Sequence, residues 1–236
     1  MLRPLITSLV FLGGSLGVAF AQANAASGEV FTVRLLSFTP GSRVDEVFIQ
    51  DPIAPDAAPV PSEIKSYLND QSTSVTLKSR KVAFTLKRER SSLKTDGELL
   101  GEVTLPEKSR SVICLFLPGK VGDKSRFQIM PISDTKTDFP VGSFHVTNLS
   151  PLPVRIQLEN KPYDFRPGQV VIIQNPPLRD GSQSAMRTFA FKNNQWQPVS
   201  AGIWPAAGRS RKLMILYANP ANGNIQMNAF DDVPPA

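Results

Sequence analysis

His145 is the only histidine in the sequence and therefore the only imidazole that could act as a general base. It alternates with Phe144 and Val146, so Ser143 and Thr147 would share its face of a strand. Residues two apart on a strand are separated by roughly 6–7 Å, which is too far for a serine to pass its proton to the imidazole. The motif G-x-S-x-G is also absent. A hydrogen-bonded or surface histidine is therefore favoured over a hydrolase.

The same inventory argues against a metal centre. Cys114 is the only cysteine, and one histidine with one cysteine cannot build the usual zinc or copper sites. No EF-hand loop is present, and the pair Asp231-Asp232 is too short a cluster for calcium. Cys114 lies in the apolar run 112–117, which predicts a buried thiol rather than a reactive one. We expect no metal and no cofactor.

Two further patterns match catalytic motifs in part. Ser62 and Lys65 fit S-x-x-K of penicillin-recognising enzymes, but the segment 94–96 (Lys-Thr-Asp) lacks the glycine of their K-T-G strand. A glycosidase needs only two carboxylates, although acidic residues are also common in turns for solvation and capping. The candidate carboxylates are Glu159, Asp164, Asp180 and Asp231. No nucleotide-binding glycine motif is present. We expect no catalytic residue, and a carboxylate hydrolase is the third hypothesis.

Aromatic residues in the C-terminal part of the chain are candidates for ligand binding. Trp196, Trp204 and Tyr217 lie beside Gly, Pro and Asn residues. Sugar rings could stack on such side chains where they are exposed on a β-sandwich. A tryptophan that fills the space between two sheets is the commoner arrangement.

Basic residues form a second candidate surface. The segment 78–90 is rich in Lys and Arg, with Lys81, Lys87 and Arg88 as the candidate ligand-binding residues, and the full chain has a net charge of +6. A second cluster, Arg209, Arg211 and Lys212, precedes a predicted strand. Alternation would place these charges on a solvent face, where they could bind anionic envelope polymers; nucleic acid is not the expected partner. An ordinary solvated face is favoured over this function.

The first 25 residues predict export. Arg3 is followed by an apolar run from Leu5 to Phe20, and small residues end the segment. This pattern is typical of a secretory signal peptide cleaved after Ala25, and its glycines weaken the alternative of a membrane anchor. The mature protein would be periplasmic or extracellular, with no transmembrane anchor after cleavage.

The rest of the chain predicts an all-β protein. Short alternating or apolar segments are separated by Pro- and Gly-rich turns, and one short helix is predicted at 62–68. The strongest hairpin signals are 187–191 with 196–199 and 212–217 with 225–230. The other predicted strands are 29–38, 75–88, 112–117, 127–130, 143–148, 153–158, 163–165 and 169–174. We therefore expect one or two packed antiparallel β-sandwiches of immunoglobulin-like type, with at most one short helix.

The domain organisation follows from the polar segment 133–140. It predicts an N-terminal β-lobe (26–134) and a C-terminal β-lobe (135–236), with a single continuous sandwich as the alternative. No internal repeat of useful period is visible in the sequence. The turns at 139–142, 148–150 and 166–168 give the chain a general look of immunoglobulin-like exported β-proteins, without a signature.

Together these observations favour a non-catalytic exported protein of the cell envelope, with a structural or interaction role and an envelope or surface protein as partner. A carbohydrate-binding module, or a binder of anionic envelope polymers such as acidic polysaccharide, is the alternative.

Overall fold

A computed structural model describes residues 28–39, 43–68, 71–119, 122 and 125–233. Within these residues the chain forms sixteen strands in four four-stranded sheets and one 3₁₀ helix, Arg90–Leu93. The sheets pack together as β-sandwiches, which confirms the predicted all-β class. The predicted signal peptide lies outside the described residues. No helix in the described part of the chain is long and apolar enough to cross a membrane.

The first eight strands form two sheets that enclose one hydrophobic core, and we call this half the N-terminal sandwich. The core contains Phe31, Phe84 and Phe116, all fully buried. The strands are β1 (Glu29–Ser37), β2 (Val44–Gln50), β3 (Val60–Ile64), β4 (Thr73–Leu77), β5 (Lys81–Thr85), β6 (Leu99–Thr104), β7 (Ser111–Pro118) and β8 (Phe127–Ser133). Their order is β4-β1-β7-β8 in the inner sheet and β3-β2-β5-β6 in the outer sheet.

The last eight strands form the C-terminal sandwich in the same way. Its core contains Phe144, Phe165 and Trp204. The strands are β9 (Ser143–Asn148), β10 (Val154–Leu158), β11 (Lys161–Phe165), β12 (Val170–Gln174), β13 (Gln183–Lys192), β14 (Gln195–Pro205), β15 (Arg211–Ala218) and β16 (Ile225–Asp232). Their order is β12-β9-β15-β16 in the inner sheet and β11-β10-β13-β14 in the outer sheet.

The two sandwiches share one topology. Each strand of the first corresponds to the strand eight places later in the second, and both inner sheets contain a parallel pair, β1 with β7 and β9 with β15. The sequence does not reveal this duplication, because alternation and turn chemistry specify strands without requiring the same residues. Each sheet takes all four strands from one half of the chain, and the predicted boundary at 134/135 falls between β8 and β9.

A third hydrophobic core joins the two inner sheets face to face. Leu36, Ile113 and Leu115 of the first half pack with Leu213 and Ile215 of the second. The molecule is therefore a stack of four sheets, and β7 is apolar on both faces because both of its faces are covered. This arrangement explains the continuous apolar run 112–117.

Local predictions fail in two places. The predicted strand 75–88 is two strands, β4 and β5, separated by a turn at 78–80. The predicted helix at 62–68 is wrong, because Val60–Ile64 forms β3 and Val47 pairs with Ser62 of this strand. A seven-residue helical pattern is too short to be stable alone, so the available edge of β2 decides its conformation.

Candidate functional site

Four charged side chains lie buried between the inner sheets, and we call them the charge cluster: Arg34, Asp134, Arg211 and Asp232. Arg34 donates through Nε and Nη2 to Asp134, at 2.9 and 2.7 Å, and through Nη1 and Nη2 to Asp232, at 2.7 and 2.9 Å. Arg211 bonds both aspartates and donates to the Phe139 carbonyl at 2.7 Å. Burial alone would lower the pKa of Arg34, but bonds and charges from Asp232 and Asp134 outweigh it and raise that pKa.

The two aspartates occupy equivalent positions in the two sandwiches. In the N-terminal sandwich Val112 pairs with Ser133, and Asp134 is the next residue. In the C-terminal sandwich Lys212 pairs with Asp231, and Asp232 is the next residue. The arginines are not equivalent to each other, since the position of Arg34 on β1 is held by His145 on β9. The prediction that Arg211 lines a solvent face is wrong, because this face of β15 is covered by the first sandwich.

His145 lies beside this cluster and is not placed for catalysis. Its ring contacts the ring of Phe139 edge-on, and Nδ1 lies 3.4 Å from the Thr147 hydroxyl. Burial, together with the charge of Arg211, lowers its pKa to about 4, although its own backbone and Asp138 act in the opposite direction. The side chain is 93% buried. With this pKa it is neutral at pH 7.

We expect this histidine to make the fold sensitive to mild acid. In the unfolded chain His145 takes up a proton below the ordinary histidine pKa of about 6.5. In the folded chain it stays neutral down to about pH 4. Stability is therefore lost as the pH falls through this window, by about 1.4 kcal/mol at pH 5.5. Urea unfolding between pH 7.5 and 5.5 should show this loss, and His145→Gln should remove most of it. An equal pH dependence in the variant would contradict the assignment.

Cys114 is fully buried in the core of the N-terminal sandwich, as the sequence predicts, and burial raises the pKa of its thiol to about 12. We expect a maleimide reagent to label the folded protein hardly at all and to label it stoichiometrically in denaturant. A reducing-agent-sensitive dimer, or rapid labelling of the native protein, would show that the thiol is accessible.

The predicted aromatic residues do not form one surface. Trp204 is fully buried against Phe144, with ring centroids 4.7 Å apart, and presents no face to a ligand. Tyr217 packs edge-on against Phe38 of the N-terminal sandwich, at 4.9 Å. Of these three residues only Trp196 lies on the outward face of the outer sheet, where the Arg155 guanidinium covers its ring at 4.4 Å. The tryptophan that fills the space between sheets, the commoner of the two arrangements, is therefore Trp204.

The predicted basic face is partly neutralised. Lys81 pairs with Glu102 at 2.7 Å, and Lys87 pairs with Glu98, whose hydrogen bond raises the pKa of this lysine. Arg88 is exposed, and no carboxylate of the described residues lies within 4 Å of it. Along β5, Val82 and Phe84 enter the core as predicted, but the opposite face is also covered, since Thr85 is buried beside Gln50 and bonded to it at 2.8 Å.

Two of the candidate carboxylates have pKa values below the ordinary values of Glu and Asp. The amide of Ala185 and the charge of Arg179 lower the pKa of Glu159. Arg155 lowers the pKa of Asp164 through two bonds of 2.6 and 2.7 Å. A glycosidase acid needs a raised pKa. No group of three or more potential metal ligands is found among the described residues.

The outer sheet of the C-terminal sandwich carries an exposed apolar and cationic surface, which we call the outer face. Arg155 is fixed there between Asp164 and Trp196, and Phe191 meets Trp196 edge-on at 5.2 Å. Register places Phe189 opposite Arg155 and Ile203 opposite Ala185 on the same face. Ile203 is 64% exposed. The sequence analysis named Trp196 as a binding residue and Asp164 as a candidate carboxylate. The alternation of 185–191 was the signal for Phe189 and Phe191.

Several grooves open at sheet edges of the described residues. The first, of about 740 Å³, lies beside β1 between β3 and β4 and includes Ser62 and Lys65. Its polar groups bond to each other: Ser62 with Thr73 at 2.8 Å, and Lys65 with Glu63 at 2.8 Å and with Gln71. The S-x-x-K serine is therefore on a strand, and its lysine is held in an ion pair rather than available as a base.

The second groove, of about 470 Å³, lies between the edge strands β14 and β16, and we call it the edge groove. A β-bulge shifts the register between Thr188 and Phe189 and leaves Val199 of β14 unpaired beside it. Such bulges re-aim side chains at sheet edges. Lys192, Gln197, Ser200 and Asn224 supply polar side chains to the lining. The sequence analysis missed this groove, because its residues come from three strands and two connecting segments.

The sequence matches no protein-family model and no curated protein.

Proposed function

We propose that the protein is a non-catalytic, exported component of the cell envelope that binds another envelope or surface protein. The observation that carries this proposal is the outer face, where Arg155 is already fixed on Trp196 beside the half-buried rings of Phe189 and Phe191. Trp and Arg are the residue types that dominate binding energy at protein interfaces, and a fixed side chain loses little entropy on binding. The N-terminal pattern of residues 1–25 supports export to the periplasm or the cell exterior.

The four-sheet stack supports an interaction role. The third hydrophobic core and the charge cluster join the two sandwiches, so the outer face is held on a rigid body. A rigid surface binds without the cost of ordering its own backbone.

A photo-crosslinking residue at Ile203, introduced in the cells that produce the protein, tests this proposal. We expect one discrete heavier adduct from position 203 and none from Val170, an exposed aliphatic residue of the inner sheet. Arg187→Glu, on the same face, should abolish the adduct without lowering the melting temperature. Equal adducts from positions 203 and 170, or none from 203, would contradict protein docking at the outer face.

A second candidate function is polysaccharide binding. The observation that favours it is the edge groove, rather than the dispersed aromatic residues or the partly neutralised basic segment. Grooves of several hundred Å³ are the usual size for small-ligand sites.

A further inference from the structure

We propose that the edge groove binds an acidic oligosaccharide, a ligand rich in hydroxyl groups that also carries carboxylates. The inference rests on the second candidate function and names its site and ligand class. It is independent of protein docking at the outer face.

The polar side chains of the groove are available to a ligand. Those of Gln197, Ser200 and Asn224 make no hydrogen bond within the described part of the chain. Two amides and a hydroxyl offer both donors and acceptors. Neighbouring hydroxyl groups of a sugar need this mixture, because each hydroxyl donates one hydrogen bond and accepts others.

The amide of Gln226 faces away from the groove. Its Oε1 accepts from the Tyr217 hydroxyl at 2.9 Å and from Nδ2 of Asn219 at 3.1 Å. Alternation places Gln226 and Tyr217 on the face of the inner sheet opposite to Ile225, and Tyr217 packs there against Phe38 of the N-terminal sandwich. Tyr217, predicted to stack on sugars, therefore takes no part in this site.

The floor and the charge of the groove define the ligand further. Ala190 and Ile225 are buried beneath the polar residues, with Leu152 beside them, and supply an apolar floor for the C–H face of a sugar ring. Lys192 lines the groove, no lining residue is acidic, and no described carboxylate lies within 4 Å of Lys192. A negatively charged ligand therefore meets one cation and no repulsion.

Isothermal titration calorimetry with hexagalacturonate and with maltohexaose tests the proposal on the mature protein. We expect the acidic hexamer to bind more tightly, and its affinity to fall as salt is raised. Gln197→Ala and Asn224→Ala should each weaken both ligands by about 2- to 10-fold, the cost of one hydrogen bond. Lys192→Gln should weaken only the acidic hexamer and remove its salt dependence. Gln174→Ala, an exposed glutamine on the opposite edge strand β12, is the matched control and should change nothing.

The outcomes distinguish an error in the proposed groove from an error in the second candidate function. Binding that survives all three groove substitutions in folded variants would place the sugar elsewhere and overturn the inference, while polysaccharide binding would stand. Equal affinity for the two hexamers would overturn the acidic ligand class. The absence of any binding at millimolar hexamer would refute both the inference and the second candidate function.

Discussion

Asp232→Ala is expected to lower the free energy of unfolding by about 3–5 kcal/mol. Asp232 accepts hydrogen bonds from both Arg34 and Arg211 and is almost fully buried. Its removal leaves two buried guanidinium groups with one carboxylate, and a buried charge without its partner costs several kcal/mol. Urea unfolding at pH 7.5, followed by circular dichroism, measures the loss.

The matched control is the neighbouring residue. Asp231 also pairs with a cation, Lys212, but its side chain is 74% exposed. An exposed pair of this kind contributes about 0–1 kcal/mol. Asp231→Ala should therefore change stability only slightly, and equal losses in the two variants would show that the charge cluster does not hold the sandwiches together. Asp134→Ala, at the equivalent position, should resemble Asp232→Ala.

Trp204→Ala should cost about 3–5 kcal/mol, the usual range for the loss of a large buried aromatic side chain. The indole fills the core of the C-terminal sandwich against Phe144, and its N–H has no hydrogen-bond partner among the described residues. Its stabilising effect therefore comes from packing, which alanine removes. Guanidinium unfolding of the variant measures this cost.

Trp196→Ala is the matched control for Trp204→Ala. It removes the contacts with Arg155 and Phe191 on the outer face, and a cation–π contact at such a site is worth about 1 kcal/mol. Acrylamide should quench the fluorescence of Trp196 and leave that of Trp204 largely unquenched. A larger stability loss from Trp196→Ala than from Trp204→Ala would contradict the assignment of the two rings.

These two pairs show where sequence reasoning about the site stops. Asp231 and Asp232 are adjacent carboxylates, and Trp196 and Trp204 are aromatic residues of one strand. Alternation shows which residues share a face, but it does not show which face another sheet will cover. The N-terminal sandwich covers the face that carries Asp232, and the β-bulge at Val199 places Trp204 and Trp196 on opposite faces of their strand.

The sequence by itself determined the local elements. Alternating residues specified β9 at 143–148, and the apolar run 112–117 specified a strand buried on both sides. The hairpin at Asn193-Asn194 was predictable because both residues adopt positive φ, of 53° and 60°, which asparagine tolerates. The burial of Cys114 followed from its apolar neighbours. These signals act over a few residues and need no distant partner.

Only the tertiary structure decided the duplication, the charge cluster and the edge groove. Arg34 and Asp232 are 198 residues apart, and their bond exists because two inner sheets meet face to face. The groove exists because β14 and β16, the edge strands of different sheets, leave an opening between them. The segment 62–68 does not form the predicted helix, because its first residues pair with the edge of β2 as part of β3. Pairing between distant segments contributes more free energy than a short local preference, and a local pattern does not record which segments will meet.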